Sequence, residues 1–318
     1  MTDQKPLIIL TGPTAVGKTA LSIGLAKQIS GEIISADSMQ VYRHMDIGSA
    51  KITPEEMEGV PHYLVDVLEP TEEFHAVRFQ QMAKEALSAI YANGHLPIVV
   101  GGTGFYIQAL LYDIDFSERT DPAYRQMLEE MAEEKGNACL HNMLAERDPA
   151  SAKIIHENNR KRMIRALEYY HTTGEPISLH NQKQREKPSP YRFLYFVLTD
   201  ERDRLYRRID ERVDQMMARG LVSEVAALKE MGCRREMVSM QGLGYKEIFS
   251  YLEGEISLEE AVRLIKQNTR HFAKRQLTWF RRERDVCWIN KQDFAYDEKR
   301  ILNHMLQELH DGGIYQHD

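Results

Sequence analysis

Short apolar runs rich in β-branched residues recur along the chain at 7–10, 32–35, 63–67, 97–100, 193–199 and 286–289. Stretches of helical period, such as 19–29 and 77–91, separate several of them. This alternation predicts a parallel sheet with helices on both faces. Between 121 and 180 the rhythm changes: no strand-like run occurs, and Asp121 followed by Pro122 sets an N-cap before a first-turn proline. Residues 154–170 carry apolar side chains at helical spacing, and Gly174 follows as a stop. The polar, proline-bearing run NQKQREKPSPYR (181–192) predicts a surface loop that returns the chain to the sheet. Helical period resumes over 200–220, with Leu205, Ile209, Val213 and Met216 on one face. A longer helix is predicted over 257–282, opened by a Ser257/Glu260 capping box, with Ala261, Leu264 and Ile265 on one side and Arg270, Lys274 and Arg281 on another. The expected organisation is a parallel α/β core begun by 1–115, an inserted helical domain over 116–190, and completion of the core with C-terminal helices by 191–318.

Composition leaves that picture intact: 318 residues with 42% hydrophobic and 28% charged positions are ordinary for a globular protein with a sizeable core. No apolar run approaches the roughly 20 residues that span a bilayer, so no membrane association and a cytoplasmic location are expected. Cys139, Cys233 and Cys287 lie far apart without CxxC spacing, which points to idle thiols. Charge changes the picture more. The formal net charge is −7, yet base gathers at 160–165, 202–212 and 270–284 while acid gathers at Glu129, Glu130, Glu133 and Glu134. Each basic cluster taken singly reads as a solvated helix face; together they favour an anionic partner.

The sharpest local signal is TGPTAVGKTA (11–20), which follows one strand-like run and precedes a helical one. Gly12, Pro13, Thr14, Ala15, Val16, Gly17, Lys18 and Thr19 spell G-x-x-x-x-G-K-T, a P-loop: backbone N–H groups and a helix N-terminus cradle phosphates, Lys18 reaches the outer phosphate, and Thr19 ligates Mg²⁺. The fold expected is therefore P-loop NTPase-like. The later strand PIVVGGTGFY ends in Gly101, Gly102 and Thr103, where a nucleotide hydrolase would carry an aspartate. An acid stands instead at Asp37, just beyond the second strand, at the carboxyl edge where ligands of parallel sheets collect. By itself Asp37 reads equally as a turn or helix cap, and Thr103 as a helix cap.

Taken together, the P-loop, DSMQVYRHMDIGSAK (37–51), GGTGFY (101–106), RMIRALE (162–168), GLGYKE (242–247) and AKRQLTW (273–279) resemble, in order and over most of the chain, the bacterial tRNA dimethylallyltransferases, also called tRNA isopentenyltransferases. The resemblance implies Mg²⁺-dependent transfer of a dimethylallyl group from dimethylallyl diphosphate to N6 of the adenosine 3′ of the anticodon, in tRNAs reading codons that begin with U. The P-loop would then hold a diphosphate leaving group. It further implies that Asp37 is the general base, that Thr103 contacts the target nucleotide, and that Lys18 and Arg212 stabilise the departing diphosphate. The tRNA anticodon stem-loop would meet Asp37, Ser38, Met39, Gln40, Thr103, Gly242, Gly244, Lys246, Lys274 and Arg275, with Arg125, Lys161, Arg162 and Arg165 of the inserted helices on its stem. Lys161 stands where many relatives carry a neutral residue. A monomer is expected. Three rivals use the same loop: an adenylate isopentenyltransferase acting on free nucleotides, a small-molecule kinase, and a nucleotide-dependent RNA-binding switch without covalent chemistry.

Overall fold

The computed structural model describes residues 4–116 and 121–315. The chain divides into two compact units, Met1–Leu111 with Pro190–Asp318, and Tyr112–Ser189.

The first unit is built on six strands: β1 (Lys5–Thr11), β2 (Gly31–Ala36), β3 (His62–Tyr63), β4 (Leu96–Gly101), β5 (Tyr191–Thr199) and β6 (Val286–Asn290). They form one all-parallel sheet in the order β3-β2-β4-β1-β5-β6. The parallel sheet expected from alternating runs is thus present, and β1 lies between β4 and β5 with Leu7, Ile8, Ile9 and Leu10 all at most 1% exposed. Burial on both faces is what lets β1 read as a continuous apolar run instead of an alternating one. Strand β3 is shorter than the run 63–67 predicts. Leu64 and Asp66 take left-handed backbone angles (φ 62° and 59°), which end the pairing after Tyr63.

Four helices precede the second unit: α1 (Lys18–Gln28), α2 (Pro54–Met57), α3 (Ala76–Ala92) and α4 (Gly104–Leu111). The second unit is helical throughout, with α5 (Pro122–Lys135), α6 (Asn137–Arg147), α7 (Pro149–Ile154), α8 (Arg160–Thr173) and α9 (Ile177–Glu186). Its small core gathers Leu128, Leu140, Leu144, Met163 and Leu167. Asp121 caps α5, accepting from the Ala123 and Tyr124 amides at 3.1 Å each, and Gly174 ends α8 at φ 74°. Two expectations are corrected here. The single helix over 154–170 is two helices broken after Ile154, and half of the expected loop 181–192 is helical, since Gln, Lys, Arg and Glu are good helix formers despite their polarity.

Five further helices complete the first unit: α10 (Arg202–Ala218), α11 (Leu221–Glu230), α12 (Tyr245–Leu252), α13 (Leu258–Phe280) and α14 (Glu298–Asp311). On α10 the residues Leu205, Ile209 and Val213 are buried as the period requires, while Met216 is only half-buried and turns toward a cavity. Ser257 caps α13 through the Glu260 amide at 3.1 Å, but Glu260 pairs with Arg263, so the reciprocal half of the capping box is absent.

Candidate active site

Strand order decides which loops meet. β2, β4 and β1 are neighbours, and the register pairs Gly101 with Thr11 on one side and Ala36 on the other. Their carboxyl ends are therefore level, and the segments that follow, from Gly12, Gly102 and Asp37, leave the sheet side by side. The Thr103 amide donates to the Ala36 carbonyl at 3.3 Å, tying two of these exits together.

The loop after β1 needs its glycines. Gly12 has φ 148°, and a Cβ there would lie 2.5 Å from the Leu198 carbonyl oxygen; Gly17, at φ 99°, opens α1. Ala15 and Val16 are buried, and the Val16 amide donates to the Pro13 carbonyl at 3.4 Å. The Lys18 ammonium folds over the loop, donating to the carbonyls of Gly12 (2.9 Å) and Pro13 (3.0 Å). Burial lowers its pKa to about 8, with Asp37 acting in the opposite sense and Arg212 adding to the depression. Arg212, on α10, is held below its usual pKa by burial first and by Arg208 next, with Glu56 offsetting part of this. It forms no hydrogen bond or ion pair with any described residue.

A cavity of about 310 Å³ opens at this edge, lined among others by Thr14, Asp37, Thr103, Arg212, Lys246 and Gln276. Asp37 is the turn residue that its position suggested, since Oδ1 accepts from the amides of Met39 (2.8 Å) and Gln40 (3.2 Å). That use leaves Oδ2 without a hydrogen bond among the described residues, so turn and reactive group are compatible in one side chain. Thr103 behaves likewise: its carbonyl caps α4, accepting from Tyr106 (3.0 Å) and Ile107 (3.3 Å), while its hydroxyl is not used in the cap.

The remaining cavity wall comes from far along the chain. Met39 packs on Gly242, where a Cβ would lie 2.7 Å from its sulfur, and Gly244 donates its amide to Glu247 at 2.9 Å. Lys246 and Arg275 line the cavity, and Lys274 is exposed on α13. Sequence reasoning missed the residues that hold these walls in place. Glu224 on α11 accepts from three consecutive amides, Asp46 (2.9 Å), Ile47 (2.7 Å) and Gly48 (3.0 Å), and from the Tyr245 hydroxyl (2.8 Å). Gln276 on α13 accepts from the Thr14 amide and donates to the Gly102 carbonyl, both at 2.9 Å. Arg208 and Lys291, which flank the loop at Gly17, were also missed. Gln276 lies inside a quoted motif and could have been found; Glu224 carried no local signal.

In the second unit, the first turn of α8 presents Lys161 and Arg162 to solvent, and Arg165 is half-buried. Arg125 is held by Glu129 (3.2 Å) and by the buried Glu168 (2.9 Å). Thr19 is exposed at the start of α1, and its hydroxyl has no protein hydrogen bond among the described residues. One hydroxyl beside a phosphate loop suits a hard cation that takes its other oxygens from phosphate and water, so the donor set fits Mg²⁺. Cys139, Cys233 and Cys287 form no disulfide among the described residues, and the Cys287 sulfur lies within 4.8 Å of ligand atoms of His304 and Glu308.

A family model described as IPP transferase matches residues 40–283. The tRNA dimethylallyltransferase of Lachnoclostridium phytofermentans is 63% identical over 307 residues, covering 96% of this chain and 98% of that protein. That of Acetivibrio thermocellus is 52% identical over 298 residues, 93% and 95% of the two chains. Among solved structures, the tRNA isopentenylpyrophosphate transferase of Bacillus halodurans matches with TM-score 0.73 and 44% identity over 98% of each chain. A eukaryotic dimethylallyltransferase acting on tRNA matches with TM-score 0.76 and 31% identity, covering 92% of this chain and 75% of that one.

Proposed function

The chain belongs to the IPP transferase family, and on that footing we propose that it transfers a dimethylallyl group from dimethylallyl diphosphate to N6 of the adenosine 3′-adjacent to the anticodon, in tRNAs reading codons that begin with U. The product is N6-isopentenyladenosine. The observation that carries this reading is one cavity lined by Thr14 and Ala15 of the phosphate loop, by Arg212 and by Asp37, whose Oδ2 forms no hydrogen bond among the described residues. Strand β4 ends in Gly101 and is followed by Gly102, with no carboxylate of the kind a nucleotide hydrolase places there.

In the reaction, N6 attacks the allylic C1 as the bond from C1 to the bridging oxygen breaks, and negative charge accumulates on the leaving diphosphate. Arg212 lines the cavity with its donors uncommitted, and Lys18, which donates to the Gly12 and Pro13 carbonyls, would turn from them to the departing diphosphate as that charge develops. Nitrogen becomes cationic as it bonds to carbon and sheds a proton, which Asp37 accepts through Oδ2; the Thr103 hydroxyl orients the amine. Mg²⁺ held by Thr19 and the diphosphate would supply further neutralisation of the leaving group.

The adenosine reaches the cavity only when unstacked, which an RNA loop permits readily. Ser38, Met39, Gln40, Gly242, Gly244, Lys246, Lys274 and Arg275 surround the extruded base and its neighbours. Lys161, Arg162, Arg165 and the unsatisfied donors of Arg125 hold stem phosphates, contacts that position without reading sequence. No helix among the described residues is long and apolar enough to cross a membrane. A cytoplasmic monomer completes the reading.

Incubation with dimethylallyl diphosphate and unmodified tRNA, followed by nucleoside mass analysis, tests it. One five-carbon unit on the adenosine beside the anticodon is expected. Prenylated free AMP or ATP with unchanged tRNA would favour the adenylate enzyme, and phosphate transfer from ATP a kinase.

A further inference from the structure

Two cations flank the phosphate loop without belonging to its motif. Lys291, which follows β6, is only 4% exposed, and its ammonium donates to the Val16 carbonyl at 3.3 Å. Arg208 lies one helical turn before Arg212 on α10. Both converge on Gly17: a Cβ built there would stand 3.1 Å from the Lys291 nitrogen and 3.6 Å from a terminal nitrogen of Arg208. Gly17 is the residue at which the loop becomes helix α1, where amides turn toward bound phosphate.

These charges are poorly compensated. Arg208 forms no hydrogen bond or ion pair with any described residue, and Lys291 spends one of its three donors on a backbone oxygen. Burial depresses the Lys291 pKa, with Arg208 the next cause and Arg204 a minor one; Glu298 and Asp200 act in the opposite sense. Asp200 is paired with Arg204 at 3.5 Å, and neither it nor Asp37, Glu56 or Glu298 bridges to Lys18, Arg208, Arg212 or Lys291. Four cations gathered in this way repel one another, and a polyanion is what the arrangement is short of.

We propose that Arg208 is a further diphosphate-binding residue, gripping the donor at the Gly17 end of the loop, and that Lys291 is a positioning residue that braces the loop from behind through Val16. The inference rests on the functional reading above and extends it: the donor is held by Lys18, Arg208 and Arg212 together, with Lys291 behind them. A guanidinium suits this place because its planar fork binds phosphate oxygens in pairs.

The test is calorimetric titration of the whole protein with inorganic pyrophosphate, paired with melting in its presence and absence. Arg208→Gln is expected to weaken pyrophosphate at least about tenfold, the scale of one charge-assisted hydrogen bond, while tRNA affinity changes by less than about twofold. Arg208→Lys should recover part of the loss. Without pyrophosphate, Arg208→Gln should melt at or above the parent temperature, because a repulsive charge has gone. Lys291→Met should raise the KM for dimethylallyl diphosphate, leave that for tRNA, and be rescued by Lys291→Arg. If the parent protein binds pyrophosphate and Arg208→Gln binds it equally, or melts lower with affinity intact, the inference fails alone. If the parent ignores pyrophosphate, the donor reading fails and this inference with it.

Discussion

Two acids at opposite ends of β2, Glu32 within it and Asp37 just past it, are treated in opposite ways. Glu32, near the start of β2, is 2% exposed and fully engaged, receiving hydrogen bonds from Tyr63 (2.7 Å) and Asn93 (3.1 Å) and contacting His95. Asp37, one residue past the end of the same strand, keeps an oxygen uncommitted in a cavity, near cations that are themselves unpaired. A charge that serves the fold is satisfied within the fold; a charge kept for a partner is left short, and the sheet separates the two classes by its ends. Polar groups left without partners cost stability, so an uncommitted carboxylate oxygen beside cations that lack ion pairs is a sign of function.

That contrast can be broken experimentally. The largest effect is expected from Asp37→Ala: loss of a general base should slow single-turnover prenyl transfer by about 100- to 10,000-fold, or about 3–5 kcal/mol of barrier, with melting and tRNA affinity little changed. Equal losses in transfer and tRNA binding would remove the contrast. Glu32→Ala should do the reverse, lowering stability by about 2–4 kcal/mol by orphaning its partners while leaving the transfer rate of folded protein unaltered; chemical denaturation measures it. Burial pushes the Glu32 carboxyl upward, but hydrogen bonds from His95, Tyr63 and Asn93 outweigh it and hold the folded pKa below the usual 4.5. Its contribution is therefore present above pH 4.5 and lost as pH falls through the lower folded value.

Lys18 should show a slope of the same sign in a higher pH window. Its folded pKa of about 8 lies below the usual 10.5, so between those values the unfolded chain holds the extra proton and stability without pyrophosphate rises with pH. Pyrophosphate binds the protonated lysine, so its affinity, corrected for its own ionisation, should fall by up to about tenfold per unit above that pKa, or about 1.4 kcal/mol. Flat affinity through this range would show that Lys18 does not meet the phosphates. The smallest effect belongs to the exposed Lys274: Lys274→Ala should weaken tRNA binding by about a few fold and lower its salt slope by about one, without altering the chemical step.

The glycine loop was legible because its geometry is local: two glycines, a lysine and a threonine in eight residues determine both conformation and ligand class. Alternating runs gave the parallel sheet for a similar reason, although Leu64 and Asp66 stopped β3 through backbone angles that no apolar pattern reveals. Asp37 and Thr103 were visible as candidates only because they follow strands, and their ambiguity was real, since each performs the humble role and leaves an oxygen for another. Glu224 and Lys291 were invisible. The first acts on amides at least 176 positions away and the second on a carbonyl 275 positions away, and nothing in their own neighbourhoods distinguishes them from a solvated acid or base.

Gln276 has a consequence in time as well as in space. Its amide sets the spacing between the loop after β1 and the turn after β4, yet it lies 262 positions downstream of Thr14. During synthesis both segments leave the ribosome long before α13 follows, so a nascent chain can display the whole glycine signature while its pocket still lacks a fixed width. The width of this cavity is therefore fixed only once α13 has been made, late in synthesis.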